Sequence, residues 1–180
     1  MIRVYNSAMP LSHEQALFLR DNALRNLKTE QPVTQAVIEA IPPELGDYRP
    51  DPSAKSAIEL ARHIAGAEHL FHESVVTGAF DFASASRLAE LKTSADVARW
   101  YAETSRQDLA RLVALPAEAL VKVIDFRGLF QLAAVNYLDF SIRHIVHHRG
   151  QLSTYLRPMG SKVPAIYGES YDSAKAKAGA

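Results

Sequence analysis

The chain of 180 residues contains no cysteine. That excludes disulfides, thiolate metal ligands and a cysteine nucleophile. Any metal ion held by its side chains must rely on His, Asp, Glu or weaker oxygen donors. Net charge is also lacking, with 20 Lys and Arg against 20 Asp and Glu. A neutral chain without a basic stripe is poorly suited to grip phosphate backbones, so no nucleic-acid partner is expected. No stretch approaches the ~18 consecutive apolar residues of a membrane span. Met1 to Pro10 lack the charged start and long apolar run of a signal peptide. The expectation is a soluble, cytoplasmic protein with no membrane partner. Glycine and proline are not enriched, at 8 and 9 residues, and 48% of the chain is hydrophobic. That composition predicts one globular domain with a sizeable core. Phosphate loops of G-x-x-x-x-G-K type and G-x-S-x-G elbows are missing too, as is any repeat of fixed period.

What the chain has is apolar residues at helical spacing. Ser12 with Gln15 forms a capping-box pattern, followed by Leu17, Phe18, Leu24 and Leu27. Pro32 is expected to interrupt or kink that helix, and Val33, Val37, Ile38 and Ile41 carry on to Pro42 and Pro43. Ser56 with Glu59 opens another helix, running to about Val76 and closed by Gly78. A short helix is expected near Ser86 to Leu91. Thr93 or Ser94 then caps a helix that ends near Pro116. Leu120 to Gly128 reads as a short strand or an extended link. The helical pattern resumes at Leu129 and lasts until Pro158 and Gly160. These elements predict an all-α protein: an N-terminal helical extension (1–31), a four-helix bundle (32–172) and a frayed tail (173–180).

The chemistry concentrates in His144-Ile145-Val146-His147-His148-Arg149-Gly150-Gln151. Residues four apart lie on one helix face, so His144 and His148 can turn two imidazoles toward one metal ion. A firm site needs a third protein ligand and, for catalysis, an open position. On the helix from Ser56, His63 falls within the apolar stripe of Leu60, Ile64, Ala67, Leu70 and Phe71. His69 and His72 fall on the other side, near Glu68, Glu73 and Arg62, where solvent is expected. The set assigned is therefore His63, His144 and His148, with His147 as the alternative at the flank of the last helix. His13 carries no metal signal. Ile145 follows the first histidine of the pair, so the H-E-x-x-H arrangement of zinc proteases is absent. So are the Glu-x-x-His pairs of di-iron bundles.

At Ser56-Ala-Ile-Glu-Leu-Ala-Arg-His-Ile64 and His144-Ile-Val-His-His-Arg-Gly-Gln-Leu152 the chain resembles the DinB-like (YfiT-like) superfamily. Tyr155-Leu156-Arg157, Gly160, Pro164 and Tyr167-Gly168 look like that family's ending. The likeness covers roughly Val33 to Ser170. It implies a four-helix bundle of unusual connection order, commonly dimeric, with one divalent metal on three histidines matching His63, His144 and His148. Zinc and nickel are the metals it implies. Relatives include thiol-dependent transferases and isomerases that use mycothiol or bacillithiol.

Three neutral imidazoles would leave an open Lewis-acid position that makes water or a thiol nucleophilic near neutral pH. With no cysteine in the chain, such a thiol must come from outside. Hence the expected function is a metal-dependent, thiol-using transferase or hydrolase acting on a small molecule. A non-catalytic metal-binding module for storage, sensing or structure is the alternative. Gln151 is placed at the rim of the site, or in a hydrogen bond between helices. Glu59 either accepts a hydrogen bond from His63 and orients it, or is half of a capping box. Tyr137 and Tyr155 are placed in the pocket wall or in the core. Arg149 is expected in a salt bridge or along the surface, and Gly150 in close packing.

Overall fold

The computed structural model describes residues 10–83 and 88–179. Four long helices dominate it: α1 (His13–Glu39), α2 (Ala57–Thr77), α3 (Ser94–Val113) and α5 (Asn136–Leu156). Short helices α4 (Ala117–Val121) and α6 (Tyr171–Ala178), a 3₁₀ turn at Pro43–Leu45, and a hairpin of β1 (Val123–Phe126) with β2 (Phe130–Ala133) accompany them. The chain is an all-α bundle with a two-stranded appendage. α1 packs against α3 and α5, and α2 packs against the same two helices. The ring order is thus α1–α3–α2–α5, so chain neighbours α1 and α2 lie diagonally across the bundle. No helix among the described residues is long and apolar enough to cross a membrane.

The helix starts follow local chemistry. Ser12, Ser56 and Thr93 each accept from the backbone N–H three residues on, and Gln15, Glu59 and Asp96 return the bond. Gly78, at φ 78°, closes α2 with its N–H on the Ser74 carbonyl.

Pro32, in contrast, does not break the first helix. α1 is a single helix from His13 to Glu39, so the boundary drawn between residues 31 and 32 falls inside it. An internal proline costs about 3 kcal/mol or more. Leu27 lies before it and Val37, Ile38 and Ile41 after it, all essentially inaccessible. Each such side chain contributes about 1.5–3 kcal/mol when buried, so their sum exceeds the local penalty. The part of the expected extension at residues 1–9 lies outside the described residues.

Further differences concern the second half. The expected short helix near Ser86 begins outside the described residues, and residues 88–90 form one 3₁₀ turn. Helical structure does not resume at Leu129. Phe130–Ala133 instead pairs with Val123–Phe126, in the register Phe126↔Phe130 and Val123↔Ala133. Arg127 (φ 54°) and Gly128 (φ 69°) make the turn, the left-handed pair that suits a twisted hairpin. The tail is helical in α6, capped by Ser170. Asp172 ties it back, accepting from the Val163 N–H at 2.9 Å and from Arg157 at 3.2 Å.

Arg149 is buried, not on the surface. It pairs with Glu30 at 2.6 Å and donates to Thr34 Oγ1 at 3.2 Å and to the Tyr167 hydroxyl at 2.7 Å. The ion pair thereby joins α5, α1 and the C-terminal segment. Gly150 is exposed, and a Cβ there would meet nothing within 4 Å, so the expected close packing is not found. Tyr137 and Tyr155 both sit in the core. Tyr137 donates to the Ile124 carbonyl at 2.8 Å.

Candidate metal centre

The pairing of α2 with α5 brings three imidazoles together. His63 on α2 meets His144 and His148 on α5, with ring centroids 4.9 and 4.5 Å away, and the α5 pair is 4.3 Å apart. One ligand nitrogen from each lies within 4.8 Å of the other two. His63 Nε2 and His148 Nε2 are 3.1 Å apart. Two nitrogens at ordinary zinc distances are separated by about 2.9–3.4 Å across bond angles between 90° and tetrahedral. The pair is thus already spaced as two ligands of one ion.

Charge and hydrogen bonding agree with that geometry. Burial lowers the pKa of His63 to about 4, aided by repulsion from His148 and Lys55. Burial likewise takes His144 down to about 3, with help from His148 and His63. His148 is lowered by burial, against the opposing hydrogen bond from Gln151. All three rings are neutral at pH 7, the form a metal needs. Buried His144 Nδ1 has no hydrogen-bond partner. A buried orphan nitrogen costs free energy that a metal or another ligand would recover. The donor set fits a divalent transition ion.

The remaining candidates sort cleanly. His147 is exposed and stands outside the cluster, although its ring is 4.8 Å from that of His148. Gln151 accepts from His148 Nδ1 at 2.6 Å. Glu59 completes its capping box and pairs with Arg49 at 2.9 Å, with no bond to His63. Beside the histidines lies a cavity of about 590 Å³, lined in part by His63, His144 and Phe71. Phe71 holds its ring 5.8 Å from that of His144.

His69 and His72 do not face solvent as expected. His72 is fully buried and His69 half-buried. His69 Nδ1 lies 2.8 Å from Asp108 Oδ2 on α3, and His72 Nδ1 lies 3.6 Å from the same oxygen. The hydrogen bond with Asp108 raises the pKa of His69. Burial pushes Asp108 up, but its contacts with His69 and His72 outweigh that and leave it lowered. Next to them, buried Glu68 accepts from Gln31 and Tyr101, each at 2.6 Å. Burial raises both the Glu68 carboxyl and the Tyr101 hydroxyl. Sequence reasoning missed this network because it allowed α2 one buried face. α2 packs on α3 as well as α5, and is buried at Ala61, Ala65 and Ser74 as well as Leu60 and Ile64. Small residues spread around the helix were the available signal.

A ring of four helices with its first two helices diagonal, and three histidines clustered between the adjacent helices α2 and α5, defines a class of small bundles whose side chains could hold a metal ion. The chain belongs to the DinB family, whose sequence model matches residues 13–178. The uncharacterized protein YjoA of Bacillus subtilis (strain 168) is 32% identical over 132 residues, covering 71% of this chain and 82% of YjoA. The crystal structure of that DinB-like protein gives a TM-score of 0.66 at 26% identity, over 83% of this chain and 99% of that one. A DinB-like protein from Bacillus cereus ATCC 10987 shares the fold with a TM-score of 0.70 at 21% identity, over 82% and 97% of the two chains.

Proposed function

We propose that this chain is a metal-dependent transferase or hydrolase acting on a small molecule. His63, His144 and His148 hold one divalent ion, zinc or nickel, and a low-molecular-weight thiol from outside the chain is the preferred co-substrate. The observation that carries this reading is the convergence of three neutral imidazoles, two of which, His63 and His144, line a cavity of ligand size. Such an ion, when bound, supplies Lewis acidity at an open position, the chemistry that makes a thiol or water nucleophilic at neutral pH.

The chain's own residues do the rest. Burial keeps the imidazoles unprotonated. Gln151 holds the Nδ1 proton of His148 and so directs the lone pair of Nε2 into the cluster. Phe71 and its aromatic neighbours keep the adjoining space apolar. The absence of cysteine makes the thiol an outside reactant. We place the protein in the cytoplasm, where such thiols stay reduced.

The test is spectroscopic. Cobalt-substituted protein is titrated with cysteine and with 2-mercaptoethanol. A sulfur-to-cobalt charge-transfer band supports the thiol reading. No band with either thiol, together with a fourth protein donor in the coordination shell, supports the non-catalytic metal-binding module instead.

We also propose a homodimer. The half-exposed or exposed apolar side chains of Phe18, Leu19 and Leu129 are surface that a second copy would cover. Light scattering should then give a mass of about 40 kDa, twice the 19.8 kDa chain. A mass of one chain at micromolar concentration contradicts it.

A further inference from the structure

Of the seven phenylalanines, six form one aromatic cluster beside the three histidines. Phe71, Phe82, Phe126 and Phe140 line the cavity that His63 and His144 also border. Two arginines interrupt this apolar wall. Arg127 occupies the hairpin turn with a left-handed backbone, φ 54°. Few side chains other than glycine and asparagine adopt that conformation without cost, and such strain concentrates at working positions. Its guanidinium lies over the Phe82 ring, 3.8 Å from the centroid. Arg62 adjoins His63 in the chain, and its Nε donates to the Leu91 carbonyl at 2.7 Å. That bond fixes the guanidinium plane and leaves its terminal nitrogens to other acceptors.

Neither arginine has a carboxylate partner among the described residues, whereas Arg20, Arg49, Arg99, Arg106, Arg111, Arg143, Arg149 and Arg157 all do. Glu59 is the sole carboxylate among the described lining residues, and it is engaged by Arg49 and by the Ser56 N–H. The cavity is therefore apolar and aromatic on its walls and positively charged where Arg62 and Arg127 stand. A neutral occupant would cover two guanidinium groups without replacing their hydration. A carboxylate replaces it with charge-assisted bonds of matching planar geometry.

We propose that the cavity takes an organic anion: a carboxylate held by Arg62 and Arg127, on an aromatic or broad apolar body that lies against the phenylalanines. About 590 Å³ accommodates a bicyclic ring with its acid group. The remainder of such a ligand faces His63 and His144, so the inference names the substrate class of the reaction proposed above and rests on that reading for its catalytic meaning. Recognition of the anion itself needs only the arginines and the aromatic wall.

The experiment uses 2-naphthoate and its neutral counterpart 2-naphthalenemethanol, titrated calorimetrically into metal-loaded and chelator-treated protein. Naphthoate should bind at least ~10-fold more tightly than the alcohol in both forms. Arg127→Gly suits the left-handed backbone, so the hairpin is expected to survive the substitution. It should weaken naphthoate by ~10-fold or more and leave the alcohol unchanged, as should Arg62→Gln. Equal affinity for acid and alcohol, or no naphthoate binding at millimolar concentration, overturns the proposal. So does naphthoate binding that vanishes with the metal and ignores both arginine variants, which would assign the carboxylate to the ion. Metal content, measured separately on the same samples, reports on the histidine site. Discrimination of acid from alcohol in metal-free protein upholds the cavity even if the catalytic reading fails.

Discussion

Gln151 Oε1 lies 2.6 Å from His148 Nδ1. An amide oxygen only accepts, so Nδ1 carries the proton and Nε2 is left with its lone pair toward His63. The tautomer of one candidate ligand is thus set by a side chain three residues further along the same helix. Gln151→Leu should leave the fold intact and weaken metal binding by about 10–100-fold. Competition titration against a chelator of known affinity measures this. An unchanged affinity would show that His148 needs no such partner.

The buried carboxyl of Glu68 depends on Tyr101 and Gln31. Tyr101→Phe keeps the ring and removes one bond from a group with 1% exposure. The expected cost is about 1–3 kcal/mol in unfolding free energy. Urea denaturation of the two proteins gives the value, and a difference near zero would mean that Glu68 finds another donor.

Arg149 should matter more than any surface arginine. Its loss leaves Glu30, with a side chain 13% exposed, without a counter-ion. Arg149→Ala is expected to cost about 3–5 kcal/mol. It should also free the segment around Tyr167, whose hydroxyl Arg149 and Glu30 share. Limited proteolysis should then cut near Tyr167 in the variant well before the wild type.

The His69–Asp108 pair gives stability a pH dependence of known sign. His69 has a raised pKa when folded, so its contribution is full below its ordinary 6.5 and fades as pH rises through the raised value. Asp108 has a lowered pKa, so its contribution is full above its ordinary 3.8 and fades as pH falls through the lowered value. Both are present between pH 3.8 and 6.5. The stability difference between wild type and Asp108→Asn should therefore be largest in that window and shrink above it. A difference that grows from pH 6.5 to pH 8 contradicts the pairing.

The sequence revealed the features that local rules or a strong period control. Two capping boxes, the Gly78 stop and the inward faces of His63, His144 and His148 each rest on residues within a turn of each other. What stayed hidden depends on partners far along the chain. Pro32 sits inside α1 because packing on both sides outweighs the local penalty. His69 is half-buried, and His72 and Arg149 are buried, because α3 and α1 supply Asp108 and Glu30, 39, 36 and 119 residues away. The hairpin escaped notice because its turn is Arg127-Gly128, lacking the Asn or Asp that usually announces one. Arg127 reaches the cavity only because that hairpin packs against the aromatic cluster.

The central claim is that His63, His144 and His148 together hold one metal ion. Elemental analysis of purified protein tests it most directly. Wild type should carry about one divalent transition ion per chain, as expected for a single three-ligand site. His144→Ala should lose most of it, while His147→Ala and His69→Ala keep it. Equal metal content in wild type and His144→Ala, or loss on substituting His147 instead, would contradict the account.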